Sequence, residues 1–338
     1  MSKQIPVGIV GVSGYTGLEL VKMLITHPYF ELKYVANTEG GTWLTELHPI
    51  LDGVFNLDVK KVDIKEIADT CKLVFLALPH KTAMNTAKEL LACGVRVVDL
   101  SADYRLSLES YEKNYCKHED ADNLRHAVYS IPELHGNSAF GVNLIANPGC
   151  HVTASLLALA PFLSYIDLAQ PIFIDSKTGI SGAGKSPNAT VHFVSVSDNV
   201  DPYNIIKHRH AIEIEEHASL LVGKDVKVTF VPSHMPMIRG MLASVYATLK
   251  HDIDVKTIIH SFYKDKAFIR VRKDPPHTKT VVGTHFADVY ADTNNKALVS
   301  FCAIDNLLRG ASSQALANAN IMFGYEEGLA IPKVAYVP

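Results

Sequence analysis

The stretch Ile5 to Leu20, IPVGIVGVSGYTGLEL, holds the reading that decides the fold. An apolar run, Ile5 to Val10, stops at a glycine, and a helix-permissive segment, Gly17 to Thr26, begins a few residues later. Between them Gly11, Gly14 and Gly17 recur at three-residue intervals. In a strand-turn-helix unit each has a distinct use. Gly11 permits the tight turn, Gly14 lets backbone approach a pyrophosphate, and Gly17 allows close helix packing, while the helix N-terminus offers free amides and a favourable dipole. The spacing is Gly-x-x-Gly-x-x-Gly rather than the commoner Gly-x-Gly-x-x-Gly. A ligand-free glycine turn is the bland alternative. The strand before and the helix after favour dinucleotide binding.

Outward from this unit the first half keeps alternating. Glu31 to Ala36 reads as strand, Leu73 to Leu78 as strand, Thr82 to Cys93 as helix and Val95 to Leu100 as strand. Such alternation predicts βαβ units and a parallel sheet covered on both faces. From about residue 170 longer polar-alternating strands take over (Val226 to Val231, Leu242 to Leu249, Ala297 to Ile304), which suits a mixed or antiparallel sheet. Asn306 to Phe323 has helical spacing and is expected to return to the first domain. The pattern therefore reads as α/β, a dinucleotide-binding domain on a parallel sheet followed by a domain with a mixed sheet. The expected boundaries are 1–149 with 307–338 for the first, and 150–306 for the second.

A chain of 338 residues exceeds what one core usually organises, which makes two domains the default. A net charge of −3 provides no basic field for a polyphosphate backbone, so no nucleic-acid partner is expected. No run reaches the length of a membrane span, and Ile5 to Val12 lacks the flanks of a signal peptide, so no membrane partner is expected. The cysteines at 71, 93, 116, 150 and 302 show neither paired spacing nor Cys-x-x-Cys, which argues for reduced thiols and a cytoplasmic protein.

The chemistry gathers around three stretches. In NLIANPGCHVTASL the run Val142 to Ala146 ends as a strand and Asn147-Pro148-Gly149 turns the chain, so Cys150 opens a helix. A thiol there gains nucleophilic character from the helix dipole and free amides. A buried, inert thiol is the alternative, so a partner is needed. His208 and His210 in NIIKHRHAIEIEEH are the candidates, with Glu213 able to orient a ring. As a metal pair they lack a third ligand at recognisable spacing, and no metal is expected. In IDSKTGISGAGKSP, residues Ser176 to Ser186 read as a flexible loop whose amides, with Lys177 and Lys185, suit a phosphate or carboxylate.

GVSGYTG, ALPH, DLSADYR, NPGC, SKTGISGAGK, HRHAIEI, PSHMPMIRG and DNLLRGASSQALANAN, in order from residue 7 to about 324, resemble the N-acetyl-gamma-glutamyl-phosphate reductases, relatives of the aspartate-semialdehyde dehydrogenases. The resemblance implies a Rossmann domain plus an α+β catalytic and oligomerisation domain. It implies reductive dephosphorylation of N-acetyl-L-glutamyl 5-phosphate to the semialdehyde with NADPH, in arginine biosynthesis, by a homodimer or homotetramer. It implies Cys150 as nucleophile and His210, or its close competitor His208, as acid-base. It carries over Gly11, Ser13, Gly14, Tyr15, Thr16, Gly17, Asn37, Thr38, Leu78, Pro79, Ser101, Ser181, Gly182, Ala183 and Asn306 to the cofactor. Arg105, Lys185, His234 and Arg239 are candidate substrate contacts from charge and motif position. Many members place Ser-Arg after the second strand where this chain has Asn37-Thr38-Glu39, so NADP is implied by the family while the local residues leave NAD open. Two other functions stay in view, a sister acyl-phosphate reductase acting on aspartyl or aminoadipyl phosphate, and a dinucleotide-sensing module without catalysis.

Overall fold

The computed structural model describes residues 4–335; residues 1–3 and 336–338, the outer ends of the expected first domain, lie outside them. The chain forms two compact units, Met1–Pro148 with Ala311–Ile331, and Gly149–Gly310 with Pro332–Pro338. The second crossing thus falls at 310/311 rather than 306/307, and Asn306 sits in the second unit.

The first unit is built on strands β1 (Ile5–Val10), β2 (Phe30–Asn37), β3 (Thr42–Trp43), β4 (Asp58–Lys61), β5 (Leu73–Leu76), β6 (Arg96–Asp99), β7 (Val128–Tyr129) and β8 (Leu144–Ala146). They form one sheet in the order β3-β4-β2-β1-β5-β6-β8-β7. Only the β3/β4 pair is antiparallel. Every residue of β5 is buried, as expected of a parallel strand covered on both faces. Helix α1 (Tyr15–Leu24) begins at Tyr15 rather than Gly17, with Gly14 as its N-cap in extended conformation. Helix α2 spans Ala83–Ala92.

The C-terminal helix, Ser313–Met322, is buried along all ten residues. Several of its polar side chains bond inside this unit. Asn318 donates to the Ser130 carbonyl at 3.0 Å, and Asn320 pairs with His27 at 2.9 Å while donating to the carbonyls of Glu327 and Leu329. These bonds offset the cost of desolvating amides on a helix with no wet face. Asn147, just before the turn into the second unit, donates to the Ala311 carbonyl at 3.1 Å.

The second unit holds β9 (Ile172–Gly179), β10 (Asp201–Pro202), β11 (Val228–Met235), β12 (Met241–Thr248), β13 (Ile269–Val271), β14 (Ala287–Asn294) and β15 (Ala297–Ile304). The sheet order is β10-β11-β9-β12-β15-β14-β13, with β9/β11 and β13/β14 parallel and the remaining pairs antiparallel. Helix α3 (Cys150–Leu159) has nine of its ten residues buried, which is why its sequence is apolar all round rather than striped. Helix α4 covers His210–Val222. The segment Ser176 to Ser186 is not one flexible loop. Ser176–Gly179 complete β9, paired on both sides, and Ile180–Ala183 form a 3-10 turn. Gly179 is required there, since a Cβ would lie 2.7 Å from the Ile238 carbonyl oxygen. Among the described residues no helix is long and apolar enough to cross a membrane.

Candidate active site

Cys150 is the first residue of α3, and Gly149 caps it in extended conformation. All described peptide bonds are trans, that before Pro148 included. The Gly149 N–H donates to Glu213 Oε1 at 2.9 Å, a buried bond that ties the turn before Cys150 to α4. Glu213, expected to orient a histidine ring, thus holds the backbone beside Cys150. Gly310 completes the seat: a Cβ there would stand 2.6 Å from the Cys150 Cβ.

Helix α4 opens with His210. The Cys150 sulfur, one His210 ring nitrogen and one His151 ring nitrogen all lie within 4.8 Å of one another. His208 stands behind this group, its Nδ1 accepting the His210 backbone N–H at 3.1 Å and its ring 4.8 Å from that of His210. Burial, with the adjacent Arg209 cation, lowers His208 to about 4. It is neutral near pH 7 and a weak proton acceptor. The two histidines that the sequence left as rivals therefore have separate places.

Two residues of this site had no prior assignment. His151, 2% exposed, exchanges hydrogen bonds with Ser176 Oγ at 2.7 Å and with the Tyr203 hydroxyl at 2.9 Å. Burial and the neighbouring histidines hold it well below the ordinary imidazole value. Tyr203 stacks on His234 with ring centres 4.0 Å apart and an interplanar angle of 7°. His151 follows Cys150 directly and Tyr203 lies five residues before His208, yet neither has a spacing rule that marks it. The cavity between these groups, about 620 Å³, is lined by Cys150, His151, Thr178, Gly182, Ala183, Tyr203, Lys207, His208, Arg209, His210 and His234 among others.

Gly182, Ala183 and His234 of the expected set thus reach the cavity. Lys185 is exposed and not among its lining residues. Asn306 and Ser181 are joined: the Asn306 amide donates to Ser181 Oγ at 2.9 Å, and its carbonyl oxygen accepts the Gly240 N–H at 2.8 Å. Arg239 pairs at 3.0 Å with Asp305, a fully buried carboxylate that also accepts backbone N–H bonds from Gly283, Leu307 and Leu308. These contacts give Asn306 and Arg239 structural work inside their own unit.

In the first unit, Gly11 takes φ +94 and a Cβ there would meet the Ala77 carbonyl oxygen at 2.3 Å. A Cβ on Gly17 would stand 2.7 Å from Gly11 O, whereas Gly14 has nothing closer than 3.8 Å. The loop is pinned by His48 Nε2 against the Val12 carbonyl at 2.8 Å. Its open side, at the N-terminus of α1 with Ser13, Tyr15 and Thr16, fits a pyrophosphate. Past β2, Asn37 Oδ1 accepts the N–H groups of Glu39 and Gly40, leaving Thr38 and Glu39 exposed. Leu78 and Pro79 follow β5, the first half-buried and the second exposed. Ser101 is 1% exposed and its hydroxyl donates to Asp99 at 2.6 Å. Arg105, also buried, donates from Nη2 to the Leu100 carbonyl at 2.6 Å.

Residues 6–140 match the family described as "Semialdehyde dehydrogenase, NAD binding domain" and residues 150–306 that described as "Semialdehyde dehydrogenase, dimerisation domain". The N-acetyl-gamma-glutamyl-phosphate reductase of Sulfurovum sp. (strain NBC37-1) is 54% identical over 99% of this chain and 100% of its own length. The Methanosarcina barkeri protein of the same name is 42% identical over 98% and 99%. Among solved structures, aspartate semialdehyde dehydrogenase II from Vibrio cholerae superposes with a TM-score of 0.73, covering 95% of this chain and 98% of that one at 15% identity. With a thiol at a helix start facing an imidazole, a glycine loop on a parallel sheet, and relatives of this identity along its whole length, the chain belongs to the N-acetyl-gamma-glutamyl-phosphate reductase family.

Proposed function

We propose that the protein reduces N-acetyl-L-glutamyl 5-phosphate to N-acetyl-L-glutamate 5-semialdehyde in arginine biosynthesis, using NADPH. The observation that carries the reading is the Cys150 sulfur within 4.8 Å of a His210 nitrogen in a cavity edged by Lys207 and Arg209. Cations at the rim suit a substrate bearing both phosphate and carboxylate. His210 takes the Cys150 proton, the thiolate attacks the acyl carbon, and the C–O bond to phosphate breaks with that proton returned to the leaving group. A Cys150 thioester remains. Held at the Gly11–Gly17 loop, NADPH would supply the hydride that reduces this thioester. Collapse of the resulting thiohemiacetal breaks the C–S bond, frees the aldehyde and regenerates the thiolate. His210 is assigned the base in preference to His208, because the depressed basicity of His208 makes it a poor proton acceptor at neutral pH.

Gly11, Ser13, Gly14, Tyr15, Thr16 and Gly17 would hold the pyrophosphate of the dinucleotide, and Asn37 and Thr38 would lie toward its ribose. A solved aspartate semialdehyde dehydrogenase of the same fold, from Candida albicans, is described with NADP, at a TM-score of 0.68 and 14% identity. We assign residues 150–306 to catalysis and to a homo-oligomer contact, supported by the dimerisation-domain match. Phe173 and Tyr246, paired on adjacent strands and 50% and 40% exposed, give that sheet face apolar surface to bury. The free thiols suit a reducing cytoplasm.

The test is the reverse reaction, NADP+ reduction with N-acetylglutamate semialdehyde, with and without inorganic phosphate. Phosphate-dependent reduction that disappears in Cys150→Ala is expected. Equal turnover of aspartate semialdehyde would move the substrate to the sister class, and silence with NADP+ and NAD+ alike would sink the enzyme reading.

A further inference from the structure

The buried His151 adds a second imidazole to the pair that the reaction uses. One thiol sulfur and two imidazole nitrogens lie within 4.8 Å of one another, on α3 and at the start of α4. We propose that Cys150, His151 and His210 form a binding site for a thiophilic divalent cation of the zinc type, which closes the active site reversibly. The inference rests on the reading of Cys150 as the nucleophile.

The donor set is the soft S/N combination that selects zinc over magnesium or calcium. Tetrahedral zinc, with ligands at 2.0–2.3 Å, places its donor atoms roughly 3.4–3.6 Å apart. Rotations of the side chains about χ1 and χ2 cover the remaining distance. His151 is already built for such a role. Its two nitrogens face the Ser176 and Tyr203 hydroxyls, so whichever nitrogen takes the ion, the other keeps a hydroxyl partner. That outer hydrogen bond is what fixes the ring orientation of a ligating imidazole. The fourth position opens on the cavity, where water, phosphate or His208 is within reach of the rim.

Coordination replaces the Cys150 S–H bond with an S–metal bond and releases one proton to solvent, so no redox partner is involved. Nucleophile and base are then both engaged, and turnover stops until a chelator removes the ion. The sequence concealed this site, because the His208/His210 pair suggested a metal motif with its third ligand missing. The third ligand is the neighbour of the thiol, and the pair member that joins it is His210 alone.

Titrating the reduced full-length protein with Co2+ tests the site without reference to activity. One equivalent should produce a thiolate-to-cobalt charge-transfer band with d–d bands of tetrahedral intensity, and Zn2+ should bleach both. Cys150→Ser should abolish the charge-transfer band, and His210→Gln should weaken Co2+ binding at least ten-fold, with circular dichroism and dinucleotide affinity of both variants as in the wild type. No band in the wild type, or a band that survives in Cys150→Ser, overturns the site, the exposed Cys93 then being the thiol that answers. A band together with full turnover in saturating Zn2+ would overturn the closure and the assignment of Cys150 as nucleophile. Loss of turnover in Cys150→Ala without any metal effect would leave that assignment intact and end this inference alone.

Discussion

Cys150 owes its position to residues far from it in the chain. Gly149 anchors its backbone through Glu213, and Gly310 leaves just enough room for its Cβ. A methyl group at 310 would sit 2.6 Å from that Cβ, with the Cys150 Cα at 3.2 Å. Neither neighbour is the end of a flexible side chain, so the thiol must move. Gly310→Ala should therefore lower kcat by about 100-fold, the scale at which a displacement near 1 Å acts on an aligned reaction, while dinucleotide affinity in the first unit stays unchanged. Equal losses in kcat and in dinucleotide binding would indicate general misfolding instead.

At the scale of elements, both functional regions lie where a strand gives way to a helix. In the first, β1 turns through Gly11 into α1, and in the second, β8 leads through Asn147-Pro148-Gly149 into α3. Helix N-termini present unpaired N–H groups, so under the proposed function anion binding at the first and thiolate stabilisation at the second would use the same device. Gly11→Ala tests the first. It combines a positive φ with overlap against the Ala77 carbonyl, a strain of order 1–3 kcal/mol. NADP(H) affinity should fall at least ten-fold by fluorescence titration, with Cys150 alkylation unaffected. An unchanged affinity would remove the glycine loop from the cofactor site.

Over the whole molecule, buried imidazoles set the pH response. His27, His151, His208, His234 and His285 are all held below the ordinary 6.5, in each case chiefly by burial. The unfolded chain takes up these protons as pH falls through about 6.5, whereas the fold resists doing so, so the unfolded state binds more protons and stability rises with pH. That contribution is complete above 6.5 and is lost progressively as pH falls toward the value of about 4 at His208. Asp99 acts oppositely. Burial raises it to about 7, so the fold binds its proton more tightly and loses stability as pH rises through that value. One carboxylate stands against several imidazoles, and Tm should drop between pH 7.5 and 5; a flat or rising Tm would contradict the burial of these rings.

What the amino-acid order alone determined is everything with local periodicity. The strand-turn-helix at Ile5 to Leu20, the parallel alternation to residue 100 and the placement of Cys150 at a helix start all follow from contacts within a few residues. Boundaries drifted, by two positions at α1 and by four at the end of β11, because the ends of an element depend on its neighbours. Tertiary structure decided what local sequence has no means to encode. It gave His208 and His210 separate places, only the second within 4.8 Å of the Cys150 sulfur, spent Glu213, Arg239 and Ser101 on internal bonds, and made strand out of Ser176–Gly179. It also brought His151 and Tyr203 into the site. The physical reason is common to all of these: a side chain's role depends on which partners desolvate it, and those partners come from segments tens to hundreds of residues away.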